Sequence, residues 1–272
     1  MDFRRSLPFF LFSLGLISGY PSFLQAKVSQ AAMELLQDAE VSRGVIPSTG
    51  LEWKVEARSE SAAERKDAVL LVRSQYGRSL AEILSPETSR GKKYLLADGT
   101  MFFYRPGTQR PIIVPARQQV AGDAAIGDIA STSFLLEYAP TSVKPGLYEE
   151  ERCAVFQMNA KAGSASSYSY LLLWVSEDAR VYRKAEFYTK LGRHIRTARF
   201  VYDKEITLSE KTYPFLSKLE VTQLLGTAKT TTQTFSDHQL APFPPEIFQR
   251  DTMADPNAKP SLVPKLLRPG GE

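Results

Sequence analysis

From Gly50 to Arg58 the chain alternates without a break, Leu51, Trp53, Val55 and Ala57 against Glu52, Lys54, Glu56 and Arg58. A period of two sends these sets to opposite faces of an extended strand, one apolar and one wet. Comparable segments recur at short intervals, at 69–76, 78–84, 92–97, 101–105 and 111–115, then at 152–159, 168–175, 181–188, 194–202, 215–225 and 229–235. Asp98-Gly99 joins two of them as a tight hairpin, because that pair readily takes the positive φ values such a turn requires. Many strands with short connections and few helices predict a mainly β chain built on one large antiparallel sheet. No internal repeat points to a propeller or a solenoid.

One helix is expected ahead of the strands. Ala32, Leu35, Leu36 and Ala39 recur at helical spacing between Ser29, which can cap the start, and Gly44, which can close the end. Residues 118–142 break the strand pattern with Ala, Gly and Asp, and a short helix is expected near 128–135. Pro242, Pro244 and Pro245 end the sheet, with a helical turn at 246–249.

The first 26 residues read as an export signal. Arg4-Arg5 precedes an apolar run from Leu7 to Ile17, and Ala26 offers a small residue at the break. The run is shorter than the roughly 20 apolar residues of a spanning helix. The expected division is a signal peptide at 1–26, one domain at 27–253 and a Pro-rich flexible tail at 254–272, in a soluble periplasmic protein. The formal charge of +4 over 272 residues, with both signs interspersed, argues against a nucleic-acid partner. Cys153 is the only cysteine, which excludes an internal disulfide framework and a cysteine zinc cluster.

Signals for chemistry are missing. His194 and His238 have no second ligand at metal spacing, and no nucleophile elbow, phosphate loop or dinucleotide turn is present. No catalytic residue, metal or cofactor is therefore expected; a hydrolase reading would rest on Ser166 and His194 alone. What stands out is the supply of aromatics on predicted strands, among them Tyr94, Phe102, Phe103, Tyr168, Trp174, Tyr182, Phe187, Phe200 and Phe235. One sheet with a helix or two to cover it has more apolar face than its own chain can seal, leaving room for an apolar ligand.

The order of motifs resembles the periplasmic outer-membrane lipoprotein-sorting proteins related to LolA and LolB. The resemblance is carried by Asp98-Gly99-Thr100-Met101-Phe102-Phe103-Tyr104-Arg105-Pro106, by Leu173-Trp174-Val175-Ser176 with Ala185-Glu186-Phe187-Tyr188, and by Thr212-Tyr213-Pro214 leading into Lys218-Leu219-Glu220-Val221. Thr230-Thr231-Thr232-Gln233-Thr234-Phe235 and Pro245-Glu246-Ile247-Phe248 complete it. Where relatives carry Gly-Ser-Asp-Phe, this chain has Ala121 to Ile129 without the aromatic. The resemblance implies an unclosed half-barrel, a strongly curved antiparallel sheet covered by short helices. It also implies a monomeric, non-catalytic carrier that shields the acyl chains of a lipoprotein or lipid on the way to the outer membrane. An RND-superfamily inner-membrane transporter and an outer-membrane acceptor are the implied partners; the alternative is an accessory binding subunit of such an exporter without lipid cargo. The Ser29–Arg43 helix and the 123–135 segment are the expected lids. Leu51, Trp53 and Val55 are expected to line the cavity, with Phe103, Trp174, Phe187, Phe200, Leu219 and Val221.

Overall fold

The computed structural model describes residues 28–255 except 47–48, 61–64, 115–118, 122–123, 126–132, 165, 167 and 227–228. The expected signal peptide, the tail beyond 255 and most of the 121–129 stretch lie outside the described residues. Helix α1 spans Gln30–Arg43; the Ser29 side chain accepts the Ala32 N–H, and Gly44 closes the helix at φ 110. Strands β1 (Leu51–Glu60), β2 (Arg65–Gln75), β3 (Arg78–Ser85), β4 (Lys93–Ala97), β5 (Thr100–Tyr104) and β6 (Ile112–Ile113) follow. After a small ribbon of β7 (Gln119–Ala121) and β8 (Ala124–Ala125) comes the helical turn α2, Phe134–Glu137. Then come β9 (Tyr138–Tyr148), β10 (Glu151–Ala160), β11 (Tyr170–Ser176), β12 (Tyr182–Tyr188), β13 (His194–Leu208), β14 (Lys211–Gln223) and β15 (Lys229–Leu240).

Thirteen of these strands form one antiparallel sheet in the order β6-β5-β4-β3-β2-β1-β15-β14-β13-β12-β11-β10-β9. Every neighbouring pair is consecutive in sequence except β1 with β15, which pair from Leu51↔Leu240 to Glu60↔Thr230. The sheet is thus two meandering wings joined along that seam. Neighbouring strands twist by roughly 20–25°, so a sheet this wide must curl. It curls until the β4–β5 turn at Gly99 lies against the Gly163 carbonyl of the opposite wing, where an added Cβ would stand 3.1 Å away.

Strand β9 is the element that the sequence pattern hides. Pro140, Pro145 and Gly146 interrupt its alternation, and residues up to 142 read as irregular. Its place at the edge of the sheet explains the tolerance, since a proline facing outward removes no ladder bond.

The two faces have separate cores. The concave face packs under α1, with Leu35, Leu36 and Ala39 against Val55, Leu70, Phe156, Leu171 and Leu219. On the convex face Phe243, together with Ile247, Phe248 and Met253 on the turns Pro245–Phe248 and Arg250–Ala254, covers Leu80, Leu95 and Ala97. Strand β4 is therefore enclosed on both sides, which accounts for its unbroken apolar run Tyr94 to Ala97.

Also on the wet face of β1, Glu52 accepts from Arg73 on β2 at 2.6 Å, and both side chains are at most 10% exposed. Removing one member of such a pair strands the other charge away from water. Arg73→Ala is expected to lower stability by about 3 kcal/mol, while Glu52→Leu combined with Arg73→Leu recovers most of it. Urea unfolding of the three variants checks this.

Candidate functional site

The curvature brings most of the expected cavity residues onto one surface. Leu51, Trp53 and Val55 on β1, Phe187 on β12, Phe200 on β13, and Leu219 and Val221 on β14 all belong to the concave core, and Phe103 packs against it half-buried. Trp174 is the exception and corrects the expectation. On β11 Leu171, Leu173 and Val175 point inward with no exposed area, so the pleat sends Trp174 to the convex face. There the Lys184 ammonium sits 4.7 Å from its ring centroid.

The concave face is not an empty trough. Phe134, the first residue of α2, occupies its middle, 5.4 Å from the ring of Tyr182 and 6.2–6.4 Å from those of Phe200, Phe187 and Tyr138. The Arg43 guanidinium caps the free side of the Phe134 ring at 4.0 Å. Trp53 lies deeper, under the Gly44 cap of α1, and is 3% exposed. An aspartate at Trp53 would place a charge in the core and disrupt the fold along with any binding.

A polar knot ties this aromatic plug to α1. Oε1 of Glu40 accepts the Phe134 N–H at 2.8 Å and the Tyr182 hydroxyl at 2.6 Å. The Ser133 hydroxyl accepts the Leu136 N–H at 3.1 Å and so caps the same N-terminal end of the turn. Burial pushes the Glu40 carboxyl above its ordinary range, against the pull of Arg43 and of its hydrogen-bond donors. Burial, with the Glu40 carboxylate beside it, pushes the Tyr182 phenol well up. Helix α1 is held in turn at Asp38 by Arg180 at 2.5 Å and Lys211 at 3.2 Å. Burial alone would raise the Asp38 carboxyl, but these two cations outweigh it and hold it below the usual range.

Two openings flank α2. A groove of about 440 Å³ runs between the C-terminal half of α1, the β2–β3 turn and Leu135-Leu136. Another of about 360 Å³ lies between that turn, the β4–β5 turn and the loop Lys161–Ser164. Leu136 separates them. Its Cδ1 stands 2.4 Å from where a Cβ on Gly77 would be, so only glycine, at φ +77, lets it lie there.

Ser166 shares a hydrogen bond with Ser164 at 2.9 Å, and the His194 ring is bonded to the Arg196 carbonyl and the Thr197 hydroxyl. Burial pushes His238 down to about 4, helped by Lys204, and its ring stands edge-on to Phe215. Among the described residues no three His, Cys, Asp or Glu side chains gather as a metal site. No described helix is long and apolar enough to cross a membrane.

Sequence reasoning placed helix α1, while most of the 123–135 segment lies outside the described residues; it did not identify the knot of Phe134, Glu40, Arg43 and Tyr182, nor Leu136 between the openings. The apolar triplet Phe134-Leu135-Leu136 inside a polar, Gly-rich stretch was the available signal.

No curated protein matches the chain. Among solved structures, it is similar to a LolA superfamily protein from Nitrosomonas europaea, at 24% identity over 81% of this chain and 98% of the other, with a TM-score of 0.69. An outer membrane lipoprotein-sorting protein domain from Vibrio parahaemolyticus matches at 17% identity over 82% and 97%, with a TM-score of 0.67. A DUF1329 family protein from Desulfovibrio piger matches at 15% over 83% and 100%, with a TM-score of 0.66. Residues 76–255 match a family model described as "Uncharacterized protein". The chain belongs to that family, and its fold is the LolA-like unclosed half-barrel.

Proposed function

We propose that this protein is a non-catalytic periplasmic carrier that shelters an acyl chain of a lipoprotein or lipid on its concave face, exchanging it for Phe134. The supporting observation is the mounting of that side chain. The ring fills the centre of the apolar concavity, yet it rides on a four-residue helical turn between two openings. Displacing it costs about 3 kcal/mol of lost burial and about 1 kcal/mol for each aromatic contact broken. An acyl chain gains about 0.8 kcal/mol per methylene sheltered, on the order of 10 kcal/mol when it runs from the vacated ring site out through the flanking openings. The exchange therefore runs toward loading, while the plug keeps the unloaded concavity from standing open to water. The similarity to a lipoprotein-sorting domain agrees with this reading, as does the expected export signal.

Leu51, Val55, Phe187, Phe200, Leu219 and Val221 form the surface offered to the chain, with Phe103 at its margin and Trp53 behind it. Native mass spectrometry of the protein purified from an envelope fraction tests the reading. A stoichiometric adduct with the mass of an acyl lipid supports it. Protein free of lipid that also fails to take up a fluorescent fatty acid overturns it, and co-purification of such protein with an exporter would favour the accessory-subunit alternative.

A further inference from the structure

Three hairpin turns stand side by side at one end of the β9–β15 wing: Lys161–Ser164 after β10, Thr189–Arg193 after β12 and Leu224–Gly226 after β14. The Ser169 N–H donates to the Tyr188 carbonyl at 3.1 Å, and the Leu224 N–H to the Ile195 carbonyl at 3.0 Å. The Tyr170 hydroxyl lies against Gly192, 3.7 Å from where a Cβ would be. Leu191 is 96% exposed at the tip of the middle turn, and Leu224 is 45% exposed on its neighbour. One leucine in water is ordinary, but two on adjacent tips are a shared feature of that rim.

The charges divide by end. The three turns contain Lys161, Lys190 and Arg193 and no Asp or Glu. The turns at the opposite end of the same strands hold the exposed Glu149 and Glu150 between β9 and β10, Glu177 and Asp178 between β11 and β12, and Glu210 between β13 and β14. Glu149 pairs with Arg199 at 3.1 Å and Asp178 with Arg152 at 3.3 Å, and Arg180, the one base in these turns, is taken up by Asp38. Carboxylates bordering the basic rim are engaged: Glu186 by Lys184 at 2.6 Å and by the Tyr188 hydroxyl at 2.7 Å, and Asp98 by Arg78 at 3.1 Å. Behind the tips, Tyr170 stacks on Tyr188 at 4.7 Å and Tyr188 on His194 at 4.9 Å. Exposed leucines, flanking cations and a row of amphipathic rings are what the boundary of a lipid bilayer accommodates.

We propose that this rim docks on an anionic lipid bilayer, with Leu191 and Leu224 entering the headgroup layer and Lys190 and Arg193 facing lipid phosphates. Lys161 marks how the rim meets the interior. It lines the smaller opening, and its ammonium donates to the Leu135 carbonyl of α2 at 2.7 Å. Docking by this end therefore sets the mouth beside α2 at the membrane surface, and the acidic end is held away. The inference goes beyond the carrier reading and does not need it, because bilayer binding and acyl loading are separate measurements.

Sedimentation of the full chain with vesicles of phosphatidylethanolamine and phosphatidylglycerol, or of phosphatidylcholine alone, provides the test. Binding is expected to the anionic vesicles, at least about tenfold weaker to the neutral ones, and lost at about 1 M salt, where the Debye length is about 3 Å. Lys190→Gln and Arg193→Gln should each weaken it roughly fivefold. Leu191→Asp with Leu224→Asp should weaken it at least about tenfold, whereas Leu147→Asp near the acidic end should leave it unchanged. Equal binding by wild type and the leucine variant, or no binding to either vesicle, overturns the proposal. So does binding confined to vesicles that carry envelope proteins, which would assign the rim to a protein partner. Fatty-acid uptake by the leucine variant, read in parallel, reports on loading alone.

Discussion

Phe134→Ala should bind a fluorescent fatty acid at least about tenfold more tightly than wild type and yet be the less stable protein without ligand. Both effects come from one ring. Removing it vacates the space among Tyr138, Tyr182, Phe187 and Phe200, and a buried phenylalanine cut to alanine costs about 3–5 kcal/mol. The incoming chain no longer has to evict the ring, so part of that loss returns as affinity, and each 1.4 kcal/mol is about tenfold. Titration calorimetry or dye displacement measures the first effect, and denaturant unfolding measures the second. Unchanged or weaker binding by the variant would show that Phe134 is ordinary core and that ligand, if any, goes elsewhere. Phe134→Leu, which keeps most of the volume, should resemble wild type in both assays.

Glu40→Ala should lower stability by about 5 kcal/mol. It deprives the Phe134 N–H and the Tyr182 hydroxyl of their acceptor, at about 1–3 kcal/mol for each buried donor. It also removes the polar group that faces the buried Arg43 guanidinium. Glu40→Gln keeps an acceptor oxygen and isolates the charge. The folded state raises the Glu40 carboxyl above its unfolded value near 4.5. The folded protein therefore holds this proton more tightly than the unfolded chain. Its contribution is complete below that pH and is lost as pH rises through the folded value. Wild-type stability measured against Glu40→Gln should fall as pH is raised from about 4.5 toward neutrality. A flat or rising difference in denaturant midpoints would exclude a carboxyl held protonated by burial.

Period-two alternation made the strands legible, because a half-buried sheet needs one greasy and one wet face at every step. Leu51, Trp53 and Val55 went to the face that their charged neighbours required. The pattern became ambiguous where both faces carry apolar residues. In β11 the run Tyr170-Leu171-Leu172-Leu173-Trp174-Val175 gives no hint of which set turns inward, and Trp174 was assigned to the wrong side. Strand β9 was hidden by prolines that only an edge position tolerates. The buried Glu40 was hidden for another reason. The helix carries one apolar stripe in sequence, but its last five residues, from Ala39 to Arg43, are all buried, polar ones included. Enclosure of that kind is a property of the assembled wings and leaves no trace in local spacing.

The seam between β1 and β15 sets an order for biosynthesis. Arg58 cannot meet Thr232 until nearly the whole chain has left the ribosome, and closing so long a loop is slow for any β topology. Until then β1, ten residues long, offers a bare ladder edge to any other nascent strand. Truncated chains ending before residue 229 should therefore aggregate.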